Sequence, residues 1–396
     1  MKRNLTLLLM LSFALLTFSQ AKKPLTIDDL VTWKRISERA ISDDGSVIAF
    51  KTEPSQGDPY ITLYDGAGTL KSTFRCATGA TISGDSRFLF FTIRPPEEEI
   101  RSLKLKKTKK DDMPLDKLGI FNISTGVTDT IERLKSYKVP ARWSGWIAWQ
   151  CVPVKDKQSV PADTAAAGNG NGKGNGGNAK PKSQSADNGY SLFLRNLASG
   201  QTDTIRFVTE YIFADDAEKL MYSTTGEDSI KEPGVVILDL KKGETSILYT
   251  GKARYRQLTM DKKGERAAFI ISFDEKDKAG NSFSLCSWNG RGLATVAATR
   301  GTSGLPEEWI INENARLSFA ENSPRLFFGT SPEYKTRDTT VLEEERANVD
   351  VWHWSEGVLH TAQVVGKARD MKKTYTAVYH TDSGKVVQLA TAEMPD

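Results

Sequence analysis

The side chains that could do covalent or acid–base chemistry in this 396-residue chain are few and scattered. Its three histidines, His353, His360 and His380, all fall late, none beside an obvious nucleophile. Nucleophilic hydrolysis needs a Ser or Cys next to a base that an acid orients, and a strand-to-helix nucleophile elbow reads G-x-S-x-G. The triplets Gly84-Asp85-Ser86, Gly280-Asn281-Ser282 and Gly301-Thr302-Ser303 each lack a Gly two residues after the Ser. No catalytic residue is therefore assigned, and binding residues stay open. GNGNGKGNGGN from Gly168 sits in low-complexity sequence and does not lead a strand into a helix, so it is no phosphate loop. Cys76, Cys151 and Cys286 are too few and too far apart for a disulfide framework, and no CxxC or Cys/His spacing suggests zinc. Neither metal nor cofactor is expected. Cys286, in the apolar run FSLCSW, reads as a buried thiol.

Two charged segments invite binding readings. Glu343-Glu344-Glu345-Arg346 could hold an amino group if it faced a cavity, but it reads as a solvated loop edge. Arg101 to Pro114, RSLKLKKTKKDDMP, is basic and then acidic. It lacks the interleaved aromatics that stack on bases, so it reads as a solvated inter-strand loop and nucleic acid is not an expected partner. The net charge of +4 is small for this length and gives no reason to expect an acidic membrane. Trp352 and Trp354 alternate with His353 in VDVWHW, which predicts a strand whose tryptophans pack between sheets.

The elements that would carry these residues are repetitive. ISDDGSVIAF (Ile41 to Phe50) aligns without gaps with ISGDSRFLFF from Ile82, FADDAEKLMY from Phe213, MDKKGERAAF from Met260 and FAENSPRLFF from Phe319. RWSGWIAWQ from Arg142 is a shortened copy. Each copy is a polar turn rich in Asp, Asn, Gly and Ser, then an apolar run suited to a strand buried on both faces. A second hairpin follows each copy, as in YITLYDGAGTL from Tyr60 and LGIFNISTGVTDTI from Leu118. LFLRNLASGQTDTI from Leu192, GVVILDLKKGETSIL from Gly234 and FSLCSWNGRGL from Phe283 continue the series. DVWHWSEGVL from Asp350 and YTAVYHTDSGKVVQL from Tyr375 are looser members. Four strands repeating every ~40–45 residues predict an all-β fold, a β-propeller. About six blades are recognisable, plus the start of another at 372–389, so the ring is expected to be incomplete.

The N-terminus reads as a signal peptide over 1–21: Lys2 and Arg3, an apolar run from Leu5 to Phe18, and small residues at Ser19 and Ala21, with cleavage after Ala21. The mature chain is thus expected to be periplasmic or secreted, with no membrane partner after cleavage, and residues 22–396 form the propeller. Residues 155–188 are dense in Gly, Asn, Lys and Ala, and are expected to be a disordered insertion within one blade.

Three longer segments carry a family resemblance. LTIDDLVTWKRISERAISDDGSVIAFKTEPSQGD, FFTIRPPEEEIRSLKLKKTKKDDMPLDKLGI and DTTVLEEERANVDVWHW resemble the N-terminal propeller of exported S9 serine peptidases of the prolyl oligopeptidase and dipeptidyl peptidase type, as found in Bacteroidetes-type bacteria. The resemblance runs from about Pro24 to Asp396. It implies a propeller that caps an α/β-hydrolase domain and limits access to short peptides. The chain reaches EMPD without the hydrolase motif, so it is expected to be a truncated, inactive portion whose partners are peptides once a hydrolase domain is joined. An open blade edge would also invite self-association. The rival expectation is a stand-alone periplasmic binding module, like the propeller of the Tol system.

Overall fold

A computed structural model describes residues 24–154, 182–227, 231–273, 283–333, 342–345 and 352–394. The signal-peptide reading of 1–21 and the larger part of the 155–188 reading lie outside the described residues. A capped turn of helix, α1 (Ile27–Thr32), precedes the sheets.

Blade one is β1 (Lys34–Ile41), β2 (Val47–Pro54), β3 (Tyr60–Asp65) and β4 (Leu70–Arg75). Blade two is β5 (Ala77–Ile82), β6 (Phe88–Ile93), β7 (Lys117–Asn122) and β8 (Val127–Ile131). Blades three and four share a strand. β9 (Leu134–Lys138), β10 (Trp146–Cys151) and β11 (Tyr190–Asn196) pair onto the start of β12 (Thr202–Phe213). The end of β12 pairs with β13 (Lys219–Thr224), followed by β14 (Gly234–Asp239) and β15 (Glu244–Thr250). Blade five is β16 (Arg254–Met260), β17 (Ala267–Ser272), β18 (Ser284–Trp288) and β19 (Thr295–Ala298). Blade six is β20 (Trp309–Ile311) with β21 (Ser318–Phe319), then β22 (Arg325–Pro332), β23 (Tyr375–His380) and β24 (Val386–Gln388). Pairing within every blade is antiparallel, and the fold is a β-propeller.

The recurring turn is the connection from the first strand to the second. Ser42 Oγ donates to Asp44 Oδ1 at 2.7 Å and accepts from Val47 N at 3.0 Å. Ser83 repeats this with Asp85 and Phe88, at 2.6 and 2.9 Å. The apolar run after each turn becomes the second strand, buried on both faces in β17 (Ala267–Ser272) and nearly so in β13. At several blade junctions one left-handed residue swings the chain into the next first strand: Cys76 (φ 57°), Arg133 (59°), Phe207 (57°) and Glu308 (62°). Phe207 is where β12 passes from blade three to blade four.

The core lies between successive blades. Ile61, Leu63, Leu89 and Phe91 pack blade one on two; Phe90, Leu118, Ile147 and Trp149 pack two on three. Leu192, Leu194, Tyr222 and Val236 fill the third-to-fourth contact. Met221, Tyr255 and Phe269 fill the fourth-to-fifth, and Phe283, Leu285, Phe328 and Ala377 the fifth-to-sixth. Among the described residues no core cluster joins blade six to blade one. Accordingly β1 is far more exposed than its counterpart β16, with Ile36 and Ile41 both more than half exposed.

Two expectations are corrected. The hairpin at 372–389 does not begin another blade: β23 pairs with β22 from Arg325↔His380 to Thr330↔Tyr375, completing blade six. The confusion arose because 42 residues separate these two strands. The tryptophans of VDVWHW do not pack between sheets as a strand would place them: Trp352 and Trp354 are 68% and 93% exposed and lie outside any strand, while 349–351 fall outside the described residues. Of the expected insertion, residues 182–188 lie among the described residues: Lys182 Nζ donates to the carbonyls of Thr225 and Gly226 at 2.7 and 2.9 Å, and Ser185 bridges Gly189.

Candidate functional site

An up-and-down blade fixes which connections share a side of the ring. First-to-second and third-to-fourth turns emerge on one face, the turn face; second-to-third loops and blade junctions emerge on the other, the loop face. The turn face is short and tied together. Ser86 Oγ donates to Asp44 Oδ1 across blades one and two at 2.8 Å, and Gly84 packs on the Trp143 backbone. Trp143 Nε1 donates to Ala214 O at 2.8 Å, Asp216 N to Lys262 O at 2.7 Å, and Lys262 pairs with Glu321 at 2.8 Å. Successive turn motifs therefore staple all six blades.

A second belt runs through the first strands, which bulge at equivalent places. Glu38 Oε2 accepts from Gly79 N at 2.7 Å while Lys51, almost fully buried, pairs with Glu38 at 2.5 Å and Glu53 at 3.0 Å. Burial opposes ionisation of Glu38, but the Lys51 ammonium and the Gly79 amide outweigh it and hold the carboxyl below the usual range. Glu210 occupies the matching place in blade four and accepts from Leu258 N at 3.3 Å. There burial dominates and pushes the Glu210 carboxyl up, despite the Leu258 amide, Lys138 and Arg256; burial also lowers Lys138.

Among the described strands, the long connections 94–116, 152–189, 273–283 and 333–374 all leave and re-enter their sheets at the loop face. The first contains helix α2 (Glu97–Leu105), where a solvated loop was expected. Three glutamates in its first turn and Lys104 in its last suit the helix dipole. Its start is pinned from blade one. Asp58 Oδ1 accepts from Glu97 N at 2.8 Å, Arg75 pairs with Asp58 at 2.7 Å, and Gly57 N donates to Glu97 Oε2 at 2.5 Å. Burial opposes ionisation of Asp58, yet these donors hold it below the usual carboxylate range.

Beside this helix lies a cleft of about 960 Å³, walled by blades two and three. Ile93, Pro95, Pro96, Met113, Val152 and Val154 give it an apolar lining. Arg94, Glu99, Lys110 and Asp112 stand among the charged residues around it. Two other charges there are committed: Lys117 to Glu132 at 2.9 Å, and Arg133 Nε to Val152 O at 2.9 Å. The chemistry available is recognition of an extended, mixed-polarity ligand.

The candidate residues read from sequence do not converge on this cleft. Glu344 and Glu345 are exposed, in a single 3-10 turn of blade six, and neither lines it. His353 Nδ1 lies 2.6 Å from Ser355 Oγ, a pairing that sequence reasoning missed; it is a local turn contact on an exposed serine. Two further Gly-x-Ser triplets also lack the second Gly: Gly329-Thr330-Ser331, followed by Glu333, and Gly189-Tyr190-Ser191, which leads into β11 with Phe193 after it and whose Ser191 Oγ accepts from Gln184 Nε2 at 2.8 Å. Cys286 is buried, and burial pushes its thiol up to about 12; burial also raises Cys76 and Cys151, so none favours the thiolate. Cys76, at a blade junction, lines the cleft, which its position in sequence did not suggest.

No protein-family model and no curated protein sequence matches the chain. Solved structures do match. The β-propeller domain of the trilobed protease of Pyrococcus furiosus is 10% identical, with 91% of this chain and 85% of that one covered and a TM-score of 0.40. An acylaminoacyl peptidase of Pyrococcus horikoshii is 11% identical, covering 91% and 46%, with a TM-score of 0.40. Dipeptidyl peptidase 4 of Porphyromonas gingivalis is 12% identical, covering 90% and 46%, with a TM-score of 0.44. The chain thus spans most of the first but under half the length of the other two.

Proposed function

We propose that the chain is the substrate-gating propeller portion of an exported S9-type serine peptidase, with no nucleophile of its own. One observation carries this reading: two of the three segments that resemble that family contribute to loop-face insertions, 94–116 beside the cleft and 333–374 in blade six. A short repeat only builds blades, whereas long loops on one face are where a propeller meets a ligand or partner. On this reading the loop face admits extended peptides and a hydrolase domain does the chemistry.

The test is direct. A serine-directed fluorophosphonate should leave the purified chain unlabelled; stoichiometric labelling would sink the reading. Coding DNA downstream that encodes G-x-S-x-G with later Asp and His would support it. Unrelated sequence there would favour a stand-alone binding module.

We also propose that the uncovered flank of blade one drives self-association. Trp33, Ile36 and Ile41 are each more than half exposed there. Light scattering should find dimers or larger species that an Ile36→Lys/Ile41→Lys variant disperses; a monodisperse parent would exclude this.

A further inference from the structure

The first strands line the axis of the ring. β1 touches β5, and β16 touches both β12 and β21, while the fourth strands β4, β8 and β15 form exposed rims. The whole chain is close to charge balance, with 54 basic and 50 acidic residues. The first strands are not. Taking β12 from Phe207 and including the β20–β21 connection, they hold eight basic residues and three carboxylates, Glu38, Glu210 and Glu313. Glu38 is taken by Lys51, and Glu313 by Arg256 Nε at 3.6 Å and Arg254 at 3.9 Å.

Register shows which of these residues share a level. Ser42 N, Ala214 N and Ala320 N close the first-to-second turns of blades one, four and six on the carbonyls of Val47, Lys219 and Arg325. Four residues before them stand Glu38, Glu210 and Arg316. Blade six thus places an arginine where blades one and four place a carboxylate. In blade three, Lys138 Nζ lies 5.6 Å from the centre of the Tyr211 ring, beside Glu210. Blades three and six are not neighbours, yet the Arg316 charge reaches Lys138: burial lowers that ammonium, Glu210 opposes the shift and Arg316 adds to it. The two meet across the channel. Lys138 and Arg316 are exposed to water, and among the described residues neither is in an ion pair.

We propose that the central channel holds a binding site for a small oxyanion, carboxylate or phosphate, between Lys138, Arg256 and Arg316. Cations gathered from three blades repel one another, and an oxyanion relieves that repulsion while accepting their charge-assisted hydrogen bonds. The site lies off the loop face and stands independently of the peptidase reading, since a peptide's carboxyl terminus and a free phosphate offer it the same chemistry.

Calorimetric titration of the full chain with inorganic phosphate should show one saturable site. Lys138→Gln and Arg316→Gln should each weaken it by about tenfold. Glu210→Gln, which takes a carboxylate from beside Lys138, should tighten it. Lys242→Gln, in the exposed turn between β14 and β15, should leave it unchanged. Lys138 and Arg316 are exposed, so thermal melting equal to the parent's certifies their variants. Displacement of phosphate by trialanine, and not by its C-terminal amide, makes a peptide terminus the occupant; displacement by neither makes it the free oxyanion. Absence of saturable phosphate binding overturns the proposal, as does binding that survives the Lys138→Gln/Arg316→Gln pair or falls equally in Lys242→Gln.

Discussion

The turn face and the loop face are made by the same strands and obey different constraints. On the turn face, Ser42, Asp44, Ser83, Asp85 and Asp261 fold tight connections, and Asp44 also accepts from Ser86 of the next blade. On the loop face, the connection between β6 and β7 holds a helix, while that between β2 and β3 is only 55–59. Uniform length marks the side that assembles the ring. Variable length marks the side free to acquire a ligand, as the cleft beside α2 illustrates.

Substitutions can break or sharpen that contrast. The largest effect should come from the sheets themselves. Phe91 is fully buried between blades one and two and lies 4.4 Å from Phe74, ring to ring, so Phe91→Ala should cost about 3–5 kcal/mol in urea unfolding. Glu38→Ala comes next: it strips buried Lys51 of one of two carboxylates and Gly79 N of its acceptor, for about 1–3 kcal/mol. Because Glu38 is held below its ordinary range, its contribution is present above that range and disappears as pH falls through the folded value. A variant–parent gap that persists in acid would contradict this. Ser83→Ala removes the acceptor of Phe88 N in a nearly buried turn and should cost about 1 kcal/mol.

Glu210 has the opposite sign. Its carboxyl is raised in the fold, so stability is greatest below the ordinary glutamate range and falls as pH climbs through the folded value. Glu210→Gln keeps an acceptor for Leu258 N and removes the desolvated charge, so melting temperature against pH should flatten above the ordinary glutamate range. A slope equal to the parent's would assign the burden elsewhere. Smallest of all, Leu105→Ser on the loop face should change unfolding by no more than about 0.5 kcal/mol. If it costs as much as Ser83→Ala, the two faces are not distinct in the sense drawn above.

How legible this was follows from range. Turns such as ISDDGSVIAF encode themselves locally through Ser and Asp side chains, so blade starts could be read directly from residue order. The pairing of β22 with β23 could not, because residues 333–374 intervene and a hairpin signal at Tyr375 looks the same at the end of one blade or the start of another. Trp352 and Trp354 misled for a related reason: alternation with His353 is a strand signal only if a neighbouring strand exists to receive it. The cleft was hidden because its walls come from 75–76, 93–117, 132–133 and 152–154, which meet only once Arg133 has turned the chain into blade three. The buried Lys51 and half-buried Glu210 look like any surface residue until the bulges of adjacent first strands are brought face to face.

Each loop-face insertion leaves and re-enters one sheet through neighbouring strands. Ile93 is registered opposite Lys117, so the 94–116 segment has its ends clamped a strand's width apart whatever its length. Closing a longer loop between such fixed posts costs only about 0.6 kcal/mol per doubling. In evolutionary terms, sequence can be added, lost or exchanged at these posts while the blades' register, and the residues that set it, remain untouched.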